Sequence, residues 1–95
     1  MISFLNIDKK FEEIGFKKLE EDKYGVVYLR NNKEYKHTQV IHIAYKDSGN
    51  HIVQSYDRDV RDENDIGNIC IGLTYLETKL VLEKFKQMKR KYKWK

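Results

Sequence analysis

Ile7, Phe11 and Ile14 recur at i, i+4 and i+7, the spacing of one face of an α-helix. Asn6 stands where an N-cap is expected, and Asp8 suits the positive end of the helix dipole. Gly15 reads as the residue just past the helix, where positive φ costs glycine little. Phe16 follows as the apolar residue that folds back on the last turn. The spacing predicts a short helix over 7–14. A helix of that length is marginal in isolation, so its apolar stripe must pack on something.

Residues 17–22 are polar apart from Leu19, and Asp22-Lys23-Tyr24-Gly25 is a turn signal. Val26-Val27-Tyr28-Leu29, β-branched and aromatic, predicts a strand that breaks at Asn31-Asn32-Lys33-Glu34. The clearest strand runs over 37–46. Ile41, Ile43 and Tyr45 lie on one face, and Thr38, Val40, His42 and Ala44 on the other. Asp47-Ser48-Gly49-Asn50 predicts a hairpin built on a type I turn and a left-handed glycine. Pairing across it puts Ile43 near Val53 and Ile41 near Ser55. That face is expected to form the core. The opposite face, with His42, Ala44, Gln54 and Tyr56, is expected to be half exposed. Residues 57–65 carry five acids and two arginines and read as a solvated loop. Residues 66–72 read as a short extended piece or a packed loop.

Thr74-Tyr75-Leu76-Glu77 is a capping box, in which Thr74 caps the Glu77 N–H and the Glu77 side chain reaches back. The helix it opens is expected to run to about Tyr92. Val81, Phe85, Met88 and Tyr92 fall on one narrow stripe, with Leu76 and Leu80 beside it. The fold expected is a single α+β domain over 1–95. It has a short N-terminal helix, an antiparallel meander of three to four strands, and a long C-terminal helix, with both helices on one sheet face.

Composition adds a core and a charge asymmetry. Of 95 residues, 40% are hydrophobic and 36% charged, and twelve are aromatic, more than a disordered chain would carry. The net charge is +4, yet residues 84–95 hold seven basic residues and no acid, which leaves the rest at −3. One cysteine, Cys70, permits no internal disulfide. No secretory leader and no membrane-length apolar run is visible, so the cytoplasm is the expected location, with no membrane partner.

Candidate chemistry is sparse. The histidines are His37, His42 and His51, and the hairpin register puts His42 and His51 on opposite faces. No spacing typical of a zinc site accompanies them. Cys70, between Ile69 and Ile71, reads as a buried thiol. The acids between 57 and 65 lack the order of an EF-hand loop and sit beside Arg58 and Arg61. There is no phosphate-binding glycine loop and no nucleophile elbow. The chain is therefore expected to be no enzyme and to need no cofactor or metal.

Two surfaces remain. The basic C-terminal segment offers Lys86, Lys89, Arg90, Lys93 and Trp94 to nucleic acid, with Trp94 lying off the apolar stripe and available for stacking. Against this stands a solvated helix whose cations favour its own dipole. The half-apolar second sheet face, with Val40, Ala44, Ile52 and Tyr56, offers an interface to a protein partner or a second copy.

The layout resembles small uncharacterised proteins encoded by phages and prophages of low-GC Gram-positive bacteria. The residues that carry the resemblance are Phe-Glu-Glu-Ile-Gly-Phe at 11–16, Gly-Val-Val-Tyr at 25–28, Leu-Thr-Tyr-Leu-Glu at 73–77, and Trp94 near the end. The basic end departs from the mixed charge of that group. The resemblance implies no activity, only a phage accessory or host-interaction protein. The function expected is a non-enzymatic interaction module, with a nucleic-acid-binding accessory protein as the alternative.

Overall fold

The computed structural model describes residues 6–33, 37–61 and 68–95. Helix α1 (Ile7–Glu13) precedes strands β1 (Lys17–Asp22), β2 (Gly25–Asn32), β3 (His37–Ala44), β4 (Ile52–Arg61) and β5 (Asn68–Cys70), and helix α2 (Tyr75–Lys91) closes the chain. The strands form one antiparallel sheet in chain order. The α+β meander is as expected, with five strands in it.

Local chemistry places most of these elements. Gly15, at φ 96°, donates its N–H to the Glu12 carbonyl, and Phe16 donates to Phe11, both at 2.9 Å. This turn lays the Phe16 ring edge-on to Phe11 at 5.9 Å. Asn6 occupies the N-cap position but makes no side-chain cap bond. The β3–β4 hairpin turns as expected, with Gly49 at φ 88° and its N–H bonded to the Lys46 carbonyl at 2.9 Å. Ile43 pairs with Val53 and Ile41 with Ser55. The capping box forms, Glu77 N–H to Thr74 Oγ1 and Thr74 N–H to Glu77 Oε1, each at 3.1 Å.

Both helices pack on one face of the sheet, the inner face. Val26, Tyr28, Ile41 and Ile43 are buried there against Ile7, Phe11, Leu80, Val81 and Met88. Phe11 stacks on Tyr28 with ring centroids 4.0 Å apart. Burial of these side chains is the main favourable term holding the helices down, on the order of 1.5–3 kcal/mol for each large one.

The sequence pattern leaves one strand unassigned, and three local expectations need correction. Residues 17–22 form an edge strand, hidden from a hydrophobicity reading because its inner-face side chains, Lys18 and Glu21, are charged. Residues 57–61 continue β4 rather than opening a loop, and Asp57 is buried. Residues 62–65 lie outside the described residues. Cys70 is exposed, because it ends a short edge strand opposite Tyr56 on the outer face, where neither helix reaches. Finally, α2 ends at Lys91 with Tyr92 as its C-cap, as expected, but Trp94 does not stay on the surface. Lys93 adopts φ 54°, and the Trp94 N–H returns to the Lys89 carbonyl at 3.0 Å. This turn swings Trp94 into the core, 7% exposed, with its indole N–H on the Lys23 carbonyl at 2.8 Å.

Candidate functional site

Part of the positive charge of α2, that of Lys84 and Lys91, is engaged within the fold. Lys84 is 1% exposed and sits between two carboxylates. Its Nζ lies 2.6 Å from Glu21 Oε1 and 3.1 Å from Asp8 Oδ1, and it donates to Gln87 Oε1 at 2.6 Å. Lys91 reaches the other Glu21 oxygen at 2.7 Å, and so does the Tyr92 hydroxyl. Lys18 spans Asp8 at 2.8 Å and Glu21 at 3.3 Å, and the Tyr28 hydroxyl donates to Asp8 at 2.5 Å. Burial alone would push the Glu21 carboxyl up, but the hydrogen bonds from Lys84, Lys91 and Tyr92 outweigh it and hold it well below the usual carboxylate range. Asp8 is lowered in the same sense, burial being outweighed by Lys18, Tyr28 and Lys84. Burial, then the Asp8 bond, pushes the Tyr28 phenol up. Each acid and base in this junction has its charge answered inside it, so it ties α1, β1, β2 and α2 together and presents no idle nucleophile or base.

Of the five residues expected to touch nucleic acid, the four cations stay on the surface and Trp94 does not. Lys86, Lys89, Arg90 and Lys93 are exposed on or just beyond α2. Lys86 lies 3.9 Å from Glu83. Trp94 is lost to stacking, since its ring packs near Tyr45, His51 and Phe85 at centroid distances of 5.6, 4.9 and 6.0 Å. Lys95 donates to the Asp47 carbonyl at 3.3 Å.

The residues expected at an interface lie together on the outer face. Leu29, Val40, Tyr56 and Cys70 are successive cross-strand neighbours, and Ala44 pairs with Ile52 one end further along. Val40 is nevertheless only 4% exposed, hemmed between Leu29 and Tyr56, and Ala44 and Tyr56 are half-buried. Ile52 is the exposed member of the four.

A second apolar strip escaped the sequence reading. On the inner face, burial is complete at Val26, Tyr28, Ile41 and Ile43 and then fails. Val53 on β4 is 43% exposed and Ile69 on β5 is 45% exposed. Pairing of Ile43 with Val53, and of Tyr56 with Cys70, puts Val53 and Ile69 on the helix side. The α1 side of α2 is marked by a shallow hollow lined by Lys10, Glu13, Ile14, Leu76, Lys79 and Leu80. The opposite flank is marked by Phe85, whose ring lies 5.8 Å from His51 beside the start of β4. Thr78, Leu82, Phe85 and Lys89 follow that flank at i, i+4, i+7 and i+11, and Leu82 is 52% exposed. The helices bury Val26, Tyr28, Ile41 and Ile43 on β2 and β3, while Val53 on β4 and Ile69 on β5 keep nearly half their surface in solvent. Among the described residues, the helix layer stops at this strip over β4 and β5. The sequence signal was Val53 placed on the core face, with no helix left to cover it.

Elsewhere the surface offers little chemistry. A hollow of about 380 Å³ at the ends of β2 and β3 is lined by Asn31, Asn32, Lys33, His37, Thr38 and Asp59, with one carboxylate and one imidazole. His42 faces outward, while His51 turns to the helix side. There His51 Nδ1 accepts the Lys46 N–H at 3.0 Å and its ring stacks on Tyr45 at 5.0 Å. Among the described residues, no three His, Cys, Asp or Glu side chains gather as a metal site, and no helix is long and apolar enough to cross a membrane. Comparison with protein-family models, with curated proteins and with solved structures finds no match for the chain.

Proposed function

We propose that this domain is a non-enzymatic interaction module that docks a protein partner on the inner sheet face beyond α2. The observation that carries the reading is the joint exposure of Val53, Ile69 and Leu82 on the floor and wall of one strip, where a monomer ordinarily buries such residues. The outer face is the weaker candidate, because Val40 is already buried and leaves less apolar area to remove from water. A host-directed accessory role, as the phage resemblance implies, belongs to the same reading. Nucleic-acid binding is the second reading. It keeps Lys86, Lys89, Arg90 and Lys93 exposed but has lost its stacking residue, Trp94, to the core.

A photo-crosslinking residue at position 53, introduced in cells that make the protein, tests the first reading. A discrete adduct that disappears with Leu82→Asp, and is absent with the crosslinker at Tyr24, is the expected result. Equal adducts from both positions would refute it. Labelled DNA and RNA titrated at low salt test the second. Tight binding with a steep salt slope would restore nucleic acid as the partner.

A further inference from the structure

We infer that the strip beyond α2 is a receptor groove for an amphipathic helix of another protein whose flank facing α2 is acidic. The inference rests on the docking reading above and adds the partner's shape and charge.

The shape follows from what bounds the strip. Its floor is the inner face of β4 and β5, with Val53, Ile69 and Ile71, and its wall is the Leu82–Phe85 flank of α2. An element that lies on a sheet beside an existing helix continues the helix layer, and its apolar residues at i, i+3, i+4 and i+7 meet floor and wall together. An extended peptide would need a free strand edge instead. The edge at β5 is three residues long, and the edge at β1 is charged and bulged at Leu19.

The charge follows from the wall. Lys89 lies on the same stripe as Leu82 and has no side-chain partner among the described residues. Lys86 lies beside it with Glu83 no nearer than 3.9 Å. Lys89 follows Phe85, whose ring lies beside His51 at the start of β4, by about one turn, which puts it toward the Val53 end of the wall, and buried Asp57 lies toward the other end of β4. A helix with Asp or Glu toward α2 answers the wall. A second copy does not. Its α2 brings the same lysines, and the apolar stripe of its α1, Ile7 and Phe11, is buried in its own core.

The test is a display library of helical peptides with a fixed leucine stripe and randomised flanks. It is selected on the full chain and counter-selected on Val53→Asp and, separately, Leu82→Asp. Both substituted positions are exposed, and each variant is first checked for an unchanged circular dichroism spectrum and melting temperature. The expected binders carry Asp or Glu on one flank, fail on both variants, and lose about tenfold in affinity to Lys86→Glu/Lys89→Glu, with Lys-flanked peptides gaining on that variant. Binders that fail on Val53→Asp but show no acidic preference would overturn the inference and leave the docking reading standing. No binder sensitive to Val53→Asp or Leu82→Asp would overturn both. A dimer in sedimentation that Val53→Asp dissociates would make the occupant a second copy and also overturn the inference.

Discussion

Replacing Lys84 with Met tests the charged junction directly. Met keeps most of the aliphatic stem and removes the ammonium group, so packing changes little and the electrostatics change fully. Lys84 is buried between Glu21 and Asp8, at 2.6 and 3.1 Å, so its loss takes the buried cation away from two carboxylates. Removing one partner of a buried pair costs about 3–5 kcal/mol. Here Glu21 keeps Lys91 and Tyr92, each at 2.7 Å, and Asp8 keeps Lys18 at 2.8 Å. The low end, about 3 kcal/mol, is therefore expected. For a urea m-value of about 1.5 kcal/mol/M, the unfolding midpoint falls by about 2 M. The melting temperature falls by about 12 °C or more. Adding Glu21→Gln removes one of those carboxylate charges as well, so the double variant should be more stable than Lys84→Met by at least about 1 kcal/mol. The pH dependence has a definite sign. Both carboxylates have folded values below their ordinary 4.5 and 3.8. The stability they contribute is complete above those ordinary values and is lost as pH falls toward the folded ones. The deficit of Lys84→Met against the wild type should then narrow as pH falls from about 6 to about 3. A loss under about 1 kcal/mol at neutral pH, or a double variant no better than the single, would refute a junction satisfied around a buried Lys84.

Two further predictions follow from the strand ends. Gly25 sits at φ 154°, and a Cβ there would press on the Ile43 carbonyl oxygen well inside contact distance, so Gly25→Ala should cost at least about 2 kcal/mol in urea unfolding; a shift under about 0.5 kcal/mol would show that the β2–β3 pair yields easily. Cys70 is exposed, so its thiol should react with a disulfide reagent in the native state at a rate within about tenfold of the urea-unfolded chain, and protection by several orders of magnitude would contradict its place on the outer edge.

Much of this fold was legible in the sequence because much of it is decided within a few residues. Gly15, Gly49 and the Thr74–Glu77 box each close a hydrogen-bonded ring across three to five positions, and the tight turn at Gly49 alone sets Ile43 opposite Val53. Where an element's evidence is tertiary, the reading failed. Strand β1 shows no apolar alternation because Lys18 and Glu21 meet charges, not hydrocarbon, and Glu21 finds Lys84 across 63 positions of the chain. The turn after α2 was missed because its left-handed residue is Lys93 rather than glycine, and that single dihedral moves Trp94 from a solvent-facing ring to a core one.

The sequence by itself determined the order of elements, the hairpin register and which β3 side chains face the core, since periodicity, capping and turn chemistry act locally. Only the tertiary structure decided how the charges and apolar surfaces are used. It buried Lys84, drew Lys91 to Glu21 and folded Trp94 into the core, all from the C-terminal segment that looked like a nucleic-acid arm. It also ended the helix layer short of β4 and β5. Both outcomes depend on how elements distant in sequence pack against one another, and no local pattern encodes that.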